Sequence, residues 1–168
     1  AHELLKNLSE DLIQNDIQIS LIANDKEHSL EIEIPFLQRT INGNFDILPL
    51  MVRHVEPADA RKIANILYAL IKNKKVLIVI SSDLSHFYSD KIAQNLDSEI
   101  LSRIASYSMN DVYLTEVEGK GFACGLGAIL VGMELTRLFG GDEIKILSYT
   151  NSGEITGDLR SVVGYGAA

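Results

Sequence analysis

Cysteine is nearly missing from this chain. Cys124 is the only one, so no disulfide can form within the chain, and such usage suits a reducing compartment. Basic residues are also scarce: 15 Lys and Arg face 23 Asp and Glu, a net charge of −8. Nucleic-acid binding rests on clustered cations against phosphates, so that class is set aside. The acidic balance suits a soluble, cytoplasmic protein. No apolar run approaches the roughly 18–20 residues that span a bilayer, so no membrane partner is expected. The opening Ala1-His2-Glu3 shows no leader pattern and no initiating methionine, as expected of a processed or truncated piece. Several catalytic signatures are absent too: no HExxH pair, no GxSxG elbow and no zinc-like Cys/His spacing. No repeat, low-complexity tract or linker divides the chain, so residues 1–168 read as one domain.

The 168 residues present are 46% apolar, enough for a globular core. Residues 3–14 carry Leu4, Leu5, Leu8, Leu12 and Ile13 at helical spacing. Residues 17–22 alternate as a half-buried strand does, and Asn24-Asp25-Lys26 is a turn. Residues 27–41 fit two periods, strand or helix. Helix is preferred, with Ser29 as N-cap, Pro35 early in it and Gly43 closing it. Residues 45–52 read as a buried strand. Pro57 opens a helix striped by Ala60, Ile63, Ala64, Leu67, Tyr68 and Ile71. The run Lys75-Val76-Leu77-Ile78-Val79-Ile80 is a strand, and 90–107 a helix with Ile92, Leu96, Ile100, Ile104 and Tyr107 on one face. Residues 111–117 give one or two helical turns, and 124–139 a helix apolar nearly all round. Residues 144–149 and 161–165 read as strands, joined by a turn-rich loop. Alternating strands and helices give an α/β class, a central mixed β-sheet flanked by helices, with antiparallel pairing at the end.

The polar stretch Ser81-Ser82-Asp83-Leu84-Ser85-His86 follows the most apolar strand candidate and precedes a helix. Open α/β sheets place their ligand crevice there. His86 can act as general base, general acid or metal ligand, with Asp83 fixing its tautomer. The competing reading is a loop histidine bonded to backbone beside a turn aspartate. Cys124 stands where a loop with Gly119, Gly121 and Gly125 enters a helix. It is placed to serve as thiolate ligand or nucleophile, or is simply a small buried hydrophobe. His28, beside Glu27 and Glu31, fits a ligand, a substrate contact or a cap. His54 is read as structural or exposed. Residues 151–158 are rich in side-chain oxygens but lack calcium-loop spacing, and read as a structural loop lining the pocket.

Six pieces in order resemble the Memo-like family: Glu27-His28-Ser29-Leu30-Glu31 with Pro35-Phe36-Leu37, Ile47-Leu48-Pro49-Leu50-Met51-Val52, Ser81-Ser82-Asp83-Leu84-Ser85-His86, Ala123-Cys124-Gly125, Tyr149-Thr150-Asn151-Ser152-Gly153, and Val162-Val163-Gly164-Tyr165. The resemblance implies a fold like that of the class III extradiol dioxygenases, which open catechol rings with non-haem iron(II). It implies a pocket in which Cys124 is a metal ligand, His86 the acid/base residue, Asp83 its support and His28 a substrate-binding residue. Non-haem iron or copper is the implied cofactor. A cysteine ligand softens the site towards copper or zinc. Family members are also associated with phosphotyrosine peptides, so the implied occupant is a small molecule or a peptide. The family's earlier Pro-His-Ala-Gly-Tyr-like and Ser-His or Asn-His motifs do not occur here. The chain is therefore expected to be the C-terminal part of the family's domain, lacking two ligand histidines. Pairing with the absent N-terminal segment, or with another copy, is expected to cover the apolar surface left open.

Overall fold

The structure, a computed structural model, describes residues 2–23 and 28–168. In chain order its elements are α1 (His2–Gln14), α2 (Ile34–Thr40), α3 (Pro57–Ile71), β1 (His86–Tyr88), α4 (Asp90–Ala105), α5 (Met109–Val117), α6 (Leu126–Leu138), β2 (Ser148–Asn151), α7 (Gly153–Thr156) and β3 (Val162–Ala167). The mixed α/β class holds. The core is chiefly helical. Leu8 and Leu12 of α1, four apart and so on one face, are buried with Ala60, Ile63, Ala64, Leu67 and Ile71 of α3. α3 packs on α6 and on α1. Pro57 starts α3, where its missing N–H costs no helical bond. α6 buries an unbroken run from Ile129 to Leu135, as its all-round apolar character requires.

The sheet differs from the expected central mixed one. Among the described residues it is three-stranded and antiparallel, in the order β1-β3-β2. Residues 17–22, 45–52 and 75–80, expected as strands, run without a ladder, and β2 starts only at Ser148. The burial expected of 45–52 is met only on alternate side chains. Leu48, Leu50 and Val52 pack on the core while Ile47 and Met51 are exposed. In 75–80 Ile78 packs on the core, while Val76, Leu77, Val79 and Ile80 are exposed. Alternation fixes which side faces inward. A strand also needs a hydrogen-bonded neighbour, and none is paired to these segments among the described residues.

Three smaller expectations are revised. The helix expected over 27–41 is confined to α2, with Glu33 rather than Ser29 at its N-cap; residues 29–33 form turns. Ile41 is its C-cap, and Gly43, at φ +99°, lies two residues beyond. The turn expected at 24–26, like Glu27, lies outside the described residues. In α4 the buried face is Ala93, Asp97, Ile100, Leu101 and Ile104, and Ile92 is exposed. α7 is a short helix within the loop expected at 151–158.

Candidate functional site

The run 81–86 crosses the start of α6, and the crossing is close because residue 125 is glycine. A Cβ there would stand 2.8 Å from Ser82 Cβ and 2.9 Å from the Ser81 carbonyl oxygen. With that space open, the two segments bond to each other repeatedly. Cys124 N–H donates to the Asp83 carbonyl at 3.0 Å, and Asp83 N–H donates back to Cys124 Sγ at 3.1 Å. Gly125 N–H donates to Ser82 Oγ at 2.9 Å, which also stands 3.7 Å from the sulfur. Behind Cys124, Ala123 N–H donates to Glu116 Oε2 at 3.2 Å. Burial pushes the Glu116 carboxyl above its ordinary value, and the Ala123 hydrogen bond and the His54 charge act against that.

On this scaffold Asp83 Oδ2 lies 3.3 Å from His86 Nε2. Only two residues separate this pair, which lies just before and at the start of β1; the crossing of 81–83 over α6 supplies the third group. Donor atoms of Asp83, His86 and Cys124 all fall within 4.8 Å of one another. The side chains stay open to solvent, 47% exposed for Asp83 and 38% for His86. Cys124 is exposed as well; it precedes the Gly125 N-cap of α6 and is not the buried hydrophobe of the competing reading. In the neutral ring, donation from Nε2 to Asp83 leaves the lone pair on Nδ1. The arrangement therefore offers a soft sulfur, an imidazole that takes or gives a proton, and a carboxylate that orients it.

His28 is not drawn into this group. Its side chain is 85% exposed, with Nδ1 3.6 Å from Glu31 Oε2. His54 is exposed. A cavity of about 480 Å³ lies beside β2, lined by Gln94, Asn95, Ser98, Tyr149 and Glu154. None of Asp83, His86 and Cys124 lines it; they are exposed at the surface, and the 151–158 loop contributes only Glu154 to this separate concavity.

Sequence reasoning overlooked the support beneath His86. Asp97, fully buried, accepts the Ser85 N–H at 2.9 Å and the Tyr149 O–H at 2.8 Å. Gly164 of β3 leaves room for that carboxylate, since a Cβ there would run into Asp97 Oδ2. The available signal was a carboxylate spaced four and seven residues from Ala93 and Ile104, inside an apolar stripe.

A sequence model of the family described as "Memo-like protein" matches residues 2–168. The chain belongs to the Memo-like family. This Memo-like chain is 34% identical over 151 residues to a MEMO1 family protein of Nitrosopumilus maritimus, covering 90% of the chain and 55% of that relative. It is 36% identical over 139 residues to a MEMO1 family protein of Aquifex aeolicus, covering 83% of the chain and 52% of that relative. A MEMO1 family protein of Methanosarcina barkeri is 29% identical over 167 residues, covering 98% of the chain and 63% of that relative. The Memo-like chain thus spans little more than half the length of the curated relatives it matches.

Proposed function

We propose that Asp83, His86 and Cys124 are this chain's contribution to a metal-dependent redox site of the class III extradiol dioxygenase type. The observation that supports the reading is the convergence of three chemically different donors, from two chain segments, within 4.8 Å. Donors around a tetrahedral ion with bonds of about 2.0–2.3 Å stand roughly 3.3–3.7 Å apart, so side-chain rotation closes the remaining gap. The residues therefore fit a metal. Sulfur, nitrogen and oxygen together favour copper or zinc over a purely oxygen-liking cation, and iron over magnesium. When bound, the metal supplies Lewis-acid or electron-transfer chemistry.

The residues themselves do the rest. Cys124 Sγ binds, its position set by the Asp83 N–H. Asp83 orients the imidazole through Nε2, and His86 holds or returns a proton at the substrate's heteroatom. With His86 and Asp83 kept for proton transfer, Cys124 is the metal donor from this chain, and the other coordination positions are left to further ligands and substrate.

Anaerobic calorimetric titration with Cu(I) and Zn(II) tests the reading. One equivalent should bind, and Cys124→Ser and His86→Ala should each weaken uptake by at least about tenfold. Oxygen consumption over a panel of catechols, lost in His86→Ala, tests the redox part. Metal uptake without oxygen consumption would keep the metal site and remove the dioxygenase reading. Phosphotyrosine-peptide binding that ignores chelator, with no metal uptake, would replace both with a peptide-binding module.

A further inference from the structure

Among the described residues, three that are not glycine have left-handed backbone: Asp16 at φ 60°, Phe87 at φ 65° and Tyr107 at φ 57°. Two of these close helices, a common place for that conformation. Asp16 N–H returns to Ile13 O at 3.1 Å after α1, and Tyr107 N–H to Ile104 O at 3.0 Å after α4. Phe87 closes nothing. It sits inside β1, where an aromatic residue at positive φ is an outlier.

The strand register shows how it is held. His86 pairs with Val163 and Tyr88 with Val162. Residues two apart on β1 thus meet adjacent residues on β3, and Phe87 is the extra residue of a β-bulge. In a regular strand, consecutive side chains leave on opposite faces. Here the His86 and Phe87 ring centroids are only 5.5 Å apart, tilted at 55°. The bulge has set the phenyl ring beside the imidazole. That ring is not core: Phe87 is 75% exposed. The next ring, Tyr88, has a partner, stacking on Phe122 at 6.1 Å and 7°. Phe87 is therefore an apolar ring in disfavoured backbone that folding does not use, next to the one imidazole of the cluster.

We propose that Phe87 is the apolar wall of the ligand site at Asp83, His86 and Cys124. It selects ligands that carry a flat apolar group beside the polar atoms reaching those three residues. The inference rests on the cluster being a ligand site and adds the class of ligand it takes. A flat group laid on the exposed phenyl face gains an offset or edge contact beyond simple burial. The polar end is then directed to the imidazole, carboxylate and sulfur.

The test is calorimetric titration of the Zn(II)-loaded chain with benzohydroxamate and acetohydroxamate, which share a chelating head and differ by the ring. Wild type should bind benzohydroxamate about tenfold more tightly, a ring contact's worth. In Phe87→Ala and Phe87→Gly that ratio should fall towards one while Zn(II) uptake is retained. Glycine accepts φ 65° without strain, so the second variant keeps the fold if alanine does not. An unchanged ratio in the folded variants overturns the proposal. Should wild type take up no Zn(II), the metal-site reading fails by itself, and phenol then decides the Phe87 proposal. Saturable NMR shifts of the His86 and Phe87 rings support it, and their absence overturns it.

Discussion

Replacing Asp97 with alanine removes a fully buried carboxylate that holds two donors, the Ser85 N–H at 2.9 Å and the Tyr149 O–H at 2.8 Å. Each buried donor left without an acceptor costs about 1–3 kcal/mol. The Ser85 amide is buried and bears the full penalty; the half-buried Tyr149 hydroxyl can turn to water. A total of about 3 kcal/mol follows, with the charged acceptor placing it above a neutral pair. For a chain of this size that is roughly 6–12 °C in Tm. Asp97→Asn keeps one oxygen acceptor and should cost about half as much. Tyr149→Phe removes a single partially solvated bond and should cost about 1 kcal/mol. Urea unfolding followed by far-UV circular dichroism measures all three, and the Asp97→Ala/Tyr149→Phe double variant should fall short of additivity, because the two share one bond. The local consequence is separable. Ser85 precedes His86, so Asp97→Ala should also weaken Zn(II) uptake in urea-free buffer, where the chain remains folded. An Asp97→Ala chain within 1 kcal/mol of wild type would refute the reasoning, whatever its metal affinity.

Two other outcomes follow from the same neighbourhood. Burial, then the hydrogen bond to Asp97, pushes the Tyr149 phenol from 10.0 up to about 12. Its stabilising effect is present below pH 10 and lost as pH rises to 12, because the unfolded chain gives up that proton first; the fall in Tm over this window should be shallower in Tyr149→Phe. Gly125→Ala would press a methyl onto Ser82 Cβ and the Ser81 carbonyl, an overpacking worth about 1–3 kcal/mol. Its larger effect should be on Zn(II) uptake, measured by titration, since it parts Cys124 from Asp83.

The helices were legible because their burial is local arithmetic. Ala60, Ile63, Ala64, Leu67 and Ile71 follow a 3.6-residue period, and each is buried where that period puts it. In α4 the expected Ile100 and Ile104 are buried, but at the start of the helix Ala93 and Asp97, a carboxylate, face inward and Ile92 faces out. In 45–52 and 75–80 the apolar runs were legible, but neither their partial exposure nor their pairing was, since both depend on which distant segment lies alongside. The site divides similarly. His86 and Asp83, three residues apart, were readable as a pair, whereas the approach of Cys124 depends on the Gly125 crossing and came only from family resemblance. Phe87 gave no signal, because no residue-level pattern announces a bulge whose extra member is aromatic. His28 shared the pattern of acidic neighbours with a site residue, yet it pairs with Glu31 at the surface, away from the cluster.

The exchange of hydrogen bonds between Asp83 and Cys124 has a consequence for speed. In both directions the donor is a main-chain N–H, one reaching the Asp83 carbonyl and the other the Cys124 sulfur. The sulfur's location is therefore set before any ligand arrives. An incoming ion or molecule need not order a loop on capture; only the exposed Asp83 and His86 side chains must settle, and rotamers settle in nanoseconds. Capture at this site should then be limited by encounter and by shedding of water, and release by the strength of the bonds made there.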